Sequence, residues 1–124
     1  MASYIDGFIF PIPKNHLNDY VKVAESVAKI WLEHGAVSYQ EFIGDDFSLQ
    51  ATASFLNAAG AKDNEVVIFG WAVFKSKKAR DRANKLVSKD SRMVDLVKPL
   101  MRSEKLIFDS SRMAYAGFKP LVNC

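Results

Sequence analysis

The stretch Glu65-Val-Val-Ile-Phe-Gly-Trp-Ala-Val-Phe-Lys75 has no polar face. Read as a strand, it places Val66, Ile68, Ala72 and Phe74 on one side and Val67, Phe69, Trp71 and Val73 on the other. A strand that is apolar on both sides must be covered on both sides, so it belongs inside a sheet. Helices of the same chain can supply one cover, beginning with the helical run Ser76–Asp90 that follows at once. The simplest second cover is another copy of the chain, and a homodimer is therefore expected.

The 124-residue sequence suits one domain over residues 1–124, with 49% hydrophobic and 25% charged residues. A chain of this length buries enough surface to fold without metal or disulfide staples. Its net charge of +3 is mild. The single cysteine, Cys124, cannot form an internal disulfide, which fits a reducing compartment. No apolar run reaches the ~18 residues of a membrane span, and the start of the chain lacks the pattern of a secretory leader. The expected location is cytoplasmic, with no membrane partner.

Around the central strand the other elements fall into order. Tyr4–Ile12 alternates as a first strand, with Tyr4, Asp6, Phe8 and Phe10 on one face and Pro11 and Pro13 ending it. Asn15 suits an N-cap, and Leu17, Tyr20, Val21, Ala24, Val27, Ala28 and Trp31 form the apolar stripe of a helix stopped by Gly35. Ala36–Gly44 reads as a second strand, with Tyr39, Glu41 and Ile43 sharing a face. In the less regular 47–64 connection, residues 50–55 suggest a short extra strand and residues 57–62 a loop. Ser76 caps the next helix, a further helical pattern starts at Asp90 or Ser91 and ends near Pro99, and residues 113–122 form the last strand. Strand, helix, strand, long connection, strand, helices, strand is the split β-α-β pattern of an α+β, ferredoxin-like subunit with helices on one face of an antiparallel sheet.

Asp6 and Glu41 are the most informative polar residues, because each interrupts an apolar strand face. A buried carboxylate needs a partner, either in a structural ion pair, with Arg92 or Arg112 as candidates, or in a pocket as a catalytic acid or base. His34, near the end of the first helix, either interacts with the helix dipole or shuttles a proton. Tyr39, Trp71 and Tyr115 lie on separate strands and either line one substrate-binding pocket or serve as core and dimer contacts. The basic residues from Lys75 to Lys89 read as a solvated helix face, since no interleaved aromatics offer base stacking; no nucleic-acid partner is expected. Phosphate-binding and nucleophile-elbow motifs are absent, and the two histidines do not share a metal-binding spacing. Neither a cofactor nor a metal is expected.

The strings Tyr4-Ile-Asp-Gly-Phe8, Trp31-Leu-Glu-His-Gly-Ala36, Gly44-Asp-Asp46, Gly70-Trp71, Asp90-Ser-Arg-Met93 and Arg112-Met113, taken in order, resemble the YbaA-like proteins, a bacterial family of unknown function. One departure is Ser91, where such proteins often carry proline. The resemblance implies a dimeric α/β-barrel, in which two sheets pack face to face. The wider superfamily includes cofactor-free quinol monooxygenases, haem-degrading enzymes, muconolactone isomerase-like proteins and stress-responsive proteins. Their pockets usually lie between sheet and helices or inside the barrel. The asparagine that quinol monooxygenases carry on the first strand is missing here, and Asp6 stands nearest to it in type. Three readings stay open: a small-molecule enzyme, an oxygenase or isomerase without a cofactor, using Asp6, Glu41, Trp71, Tyr39 and His34; a ligand-binding or stress-associated module; and a structural homodimer.

Overall fold

The alternation of β1 (Tyr4–Pro13) and β3 (Glu65–Phe74) sets the architecture, because the two strands pair antiparallel along their whole length. With β2 (Ser38–Ile43) beside β3 and β6 (Ala114–Phe118) beside β1, they make an antiparallel sheet in the order β2-β3-β1-β6. The computed structural model describes residues 3–102 and 104–124. Helices α1 (Leu17–Glu33), α3 (Lys77–Lys89) and α4 (Ser91–Val97) complete the ferredoxin-like subunit. A short hairpin, β4 (Met101–Arg102) with β5 (Lys105–Leu106), lies between α4 and β6. Among the described residues no helix is long and apolar enough to cross a membrane.

One face of the sheet is packed. Phe8, Phe10, Ile12 and Ile68 form a core with Tyr20 of α1 and with Leu100 and Ile107. Ala72 and Phe74 form a second cluster with Ala36 and Ala83, against which Trp31 packs. Each fully buried Phe or Ile of this kind contributes roughly 2–3 kcal/mol of hydrophobic stabilisation. On the opposite face Val67 is buried and Phe55 packs on Phe69, while the rest is open. Phe42, Phe69 and Phe118 there are 51%, 42% and 52% exposed, and Phe42 and Phe69 both pack on Trp71. The chain thus covers one side of the two-sided apolar strand and, on the other side, its Val67 end.

Local details depart from the sequence pattern in four places. β1 continues through Pro11 to Pro13 rather than stopping, because past Ile9 it pairs only with β3 and an edge tolerates the missing amide donor. Asn15 does not cap α1; it lies inside a 3₁₀ turn, Lys14–His16, that feeds the helix without a side-chain cap. Residues 50–55 form no strand. Instead α2 (Phe55–Ala59) follows, where the Ser54 hydroxyl accepts from the Asn57 amide and Gly60, at φ +65°, closes the helix. The last strand is shorter than expected and ends at Phe118, ahead of Pro120.

Candidate functional site

Along the packed face, side chains from neighbouring strands fall into rows. Phe8 stands opposite Gly70 on β3 and Tyr115 on β6, and Glu41 on β2 also stands opposite Gly70. Gly70 is needed in the middle of this row, since a Cβ there would lie 2.6 Å from the Gln40 carbonyl oxygen and 2.7 Å from the Phe8 ring. The Phe8 ring lies between those of Tyr39 and Tyr115, each with its centroid 5.9 Å away. Above this aromatic floor, between the sheet, α1 and α4, is a cavity of about 230 Å³. Its walls are apolar, with Val27 and Trp31 from α1 and Met93 and Val97 from α4.

Among the described residues Glu41 is the only carboxylate in that wall. Tyr20 donates to its Oε1, and Tyr39 donates to its Oε2 at 2.8 Å. Burial, and then the facing Glu41 carboxylate, hold both phenols well above the ordinary tyrosine range, so both keep their protons and act as donors. A carboxylate offers about four acceptor positions, and these two bonds use one on each oxygen. Acceptor capacity therefore remains at the cavity wall. No lysine, arginine or histidine among the described residues lines it.

Asp6 occupies a different position. It is completely buried, does not line the cavity and sits behind Tyr115, whose hydroxyl donates to its Oδ2 at 2.6 Å. Arg80 of α3 places its Nε 3.2 Å from Oδ1. That contact is an ion pair rather than an aligned hydrogen bond, since neither atom has a hydrogen-bond partner. The same guanidinium donates to the Tyr4 hydroxyl at 2.8 Å and lies over the Tyr4 ring. Gly117 leaves room for this pair, because a Cβ there would meet Tyr4 and Arg80 atoms at 2.2 and 2.4 Å.

The structure thus brings Glu41, Tyr39 and Tyr115 to one cavity, with Asp6 one layer behind, and separates His34 and Trp71 from it. Trp71 points to the open face of the sheet, because it is an odd-numbered position on a strand whose even-numbered residues meet the helices. His34 ends α1, and its Nε2 lies 2.8 Å from Asp90, the N-cap of α4. Arg92 joins Asp90 to Glu33, so the strings Trp31–Ala36 and Asp90–Met93 meet in one polar cluster. Arg112 pairs with Glu65 at 2.7 Å. Neither Arg92 nor Arg112 therefore serves Asp6 or Glu41, as the sequence had suggested for a structural ion pair. Among the described residues no group of three or more potential ligands could hold a metal ion.

Two partners were hidden in the sequence. Tyr20 reads as one more apolar-stripe residue, and only the fold brings it to Glu41, 21 positions away. Arg80 reads as part of a basic face, although it shares a helical stripe with the buried Ala83 and Val87.

Residues 3–109 match the family described as "Protein of unknown function (DUF1428)". The chain belongs to that family. The YbaA protein of Escherichia coli K12, described as uncharacterized, is 32% identical over 121 residues, covering 98% of each chain. Among solved structures, a NIPSNAP-like domain protein from Burkholderia xenovorans superposes with a TM-score of 0.56 at 14% identity, covering 96% of this chain and 85% of its own. SnoaB, a cofactor-independent oxygenase from Streptomyces nogalater, superposes with a TM-score of 0.55 at 15% identity, covering 98% and 94%. At these identities the likeness is one of fold. It places this DUF1428 chain among ferredoxin-like α+β proteins, in agreement with the order of its strands.

Proposed function

We propose that the protein is a homodimer that binds a compact, largely apolar organic molecule in the cavity between sheet and helices, with Glu41 as its polar anchor. The observation that carries this reading is Glu41 itself, a carboxylate set in an apolar wall by two tyrosines and left with acceptor capacity. A molecule with an N–H or O–H satisfies it, whereas an anion finds no cation in the wall. Tyr39 and Tyr115 contribute aromatic surface, and Asp6 acts as a positioning residue that fixes Tyr115. His34 and Trp71 fall outside the site. The second subunit covers the open face around Phe42, Phe69, Trp71 and Phe118.

SnoaB, a cofactor-independent oxygenase, shares this fold, and binding is the step tested first. Native mass spectrometry of freshly purified protein reads subunit number and any retained compound together. The expected result is a dimer, either carrying a defined extra mass or taking up small phenols and anilines on addition. A ligand present at 100 times its Kd then adds roughly 2.7 kcal/mol of stability, visible as a rise in Tm. Glu41→Leu abolishes that rise. A monomer at micromolar concentration overturns the dimer. Failure of every such compound to stabilise the wild type overturns the cavity as a binding site.

A further inference from the structure

The cavity is small for a ligand site, since pockets for drug-sized molecules run from roughly 300 to 1,000 Å³. A second space lies directly beside it. Between α1 and the edge strand β2 runs a groove of about 340 Å³, lined on its outer side by Leu17, Val21, Ala28, Phe42 and Ile43. Tyr20, Ala24, Tyr39 and Glu41 line both spaces. The hydrogen-bonded bar Tyr20–Glu41–Tyr39 is therefore a shared wall, and its carboxylate can be reached from either side. Among the described residues the only charged groups lining the two spaces are carboxylates, Glu41 in both and Glu25 in the groove. Neither space suits an anion.

We infer that cavity and groove are two compartments of one binding site, which takes an uncharged molecule with a hydrogen-bond donor between two apolar parts. The donor bonds to Glu41, a compact ring fills the inner cavity beside Phe8, and the second apolar part lies along α1 and β2. This rests on the cavity being a binding site, and it adds the shape of the ligand and the residues that select it. Val27 and Trp31 limit the inner part; Val21 and Ala28 limit the outer part. Because β2 is an edge strand, the groove opens at the side of the sheet, where Phe42 forms its border with the open face.

The test uses N-phenyl-1-naphthylamine, an uncharged fluorophore whose single N–H joins a phenyl to a naphthyl ring, with aniline as a one-ring comparison. Binding to the full-length wild type is followed by fluorescence for the first and by Tm shift for the second. Ala28→Phe fills the groove. Val21→Trp fills it from a position that is 43% exposed, so it leaves the core alone. Val27→Phe fills the inner cavity. The expected result is at least a tenfold loss of N-phenyl-1-naphthylamine affinity in each groove variant with aniline unaffected, and loss of both probes in Val27→Phe. Unchanged fluorophore affinity in both groove variants, with aniline still bound, overturns the two-compartment site and leaves the cavity reading intact. Loss of the fluorophore in the groove variants but not in Val27→Phe also overturns it, as binding in the groove alone. Binding of neither probe to the wild type overturns the cavity reading, and this inference with it.

Discussion

Asp6 and Tyr115 are 109 residues apart in the chain and 2.6 Å apart in the fold. The bond ties the first strand to the last at the point where Arg80 of α3 also arrives. Three segments thus meet on one fully buried carboxylate. Arg80→Met leaves that carboxylate buried without its cation. Breaking a buried pair costs about 3 kcal/mol, the low end of the usual range, because Arg80 keeps a fifth of its side-chain surface in water. The midpoint of urea unfolding falls accordingly with an unchanged slope, and Asp6→Asn with Arg80→Met recovers part of the loss. Tyr115→Phe keeps the ring against Phe8 and removes one donor, for about 1–2 kcal/mol. Equal stability of wild type and Arg80→Met would show that the pair is not a structural tie.

Gly70 and Phe8 show the same dependence at van der Waals range. In Gly70→Ala the new methyl meets the Gln40 carbonyl oxygen at 2.6 Å, and a backbone atom in a paired strand cannot move aside cheaply. Overpacking of this kind costs roughly 2 kcal/mol. For a domain of this size Tm falls by about 8 °C. The Phe8 ring also tilts into the cavity, so aniline binding weakens with stability. A Tm within a degree or two of wild type would refute the close approach.

How much of this was legible in the sequence depended on the range of the interaction. The central strand, the flanking strand and helix and the likeness to a family follow from periodicity and local strings, which are properties of neighbouring residues. Asp6 and Glu41 stood out for a local reason too, as charges on apolar strand faces. Their partners did not, because Tyr20 and Arg80 look like ordinary members of an apolar stripe and a basic face. Only the register of the sheet brings them in. The 50–55 segment reads as a strand only because a structureless connection of that length is uncommon in a compact domain, whereas the Ser54 and Gly60 caps decide for a short helix after it. Trp71 was grouped with Tyr39 and Tyr115 by residue type, although the parity of its position puts it on the other face.

Acid reaches the carboxylate clusters first. Hydrogen bonds from Arg92 and then His34 hold Asp90 well below the usual carboxylate range; Arg92 likewise lowers Glu33, and Arg112 lowers Glu65. A depressed folded pKa gives stability that is present above the unfolded value, about 4, and is lost as pH falls through the folded value. The urea midpoint is therefore expected to be flat through neutrality and to fall below about pH 4. Arg92→Gln raises the folded values of Asp90 and Glu33 toward the unfolded ones and makes the acid limb shallower. Identical acid limbs in the two proteins would remove Arg92 from this role.

Alkali acts on the tyrosines. Burial is the main reason that Tyr20, Tyr39 and Tyr115 are all raised above the ordinary phenol range, with Glu41 and Asp6 adding to it. A raised folded pKa gives stability that is full below the unfolded value, about 10, and is lost as pH rises through the folded one. Absorbance at the tyrosinate band is expected to lag in the native protein and then to rise together with the loss of circular dichroism. Ionisation of all the tyrosines near pH 10 in a protein that stays folded would contradict the hydrogen-bonded bar at Glu41.

The open face carries the last prediction. Phe42, Trp71 and Phe69 lie side by side on it, with ring centroids 5.1 and 5.7 Å apart along the row, and Phe118 adds to it from β6. A contiguous apolar surface of this kind is costly in water and marks an interaction site. Phe42→Lys places a charge on each subunit inside the proposed dimer interface, where it lacks a partner. Because Phe42 is half exposed in the single chain, the substitution leaves the fold intact. Sedimentation equilibrium is expected to show wild-type dimer and mutant monomer, with the two sharing the same far-ultraviolet spectrum. A mutant that remains fully dimeric would move the interface away from this face.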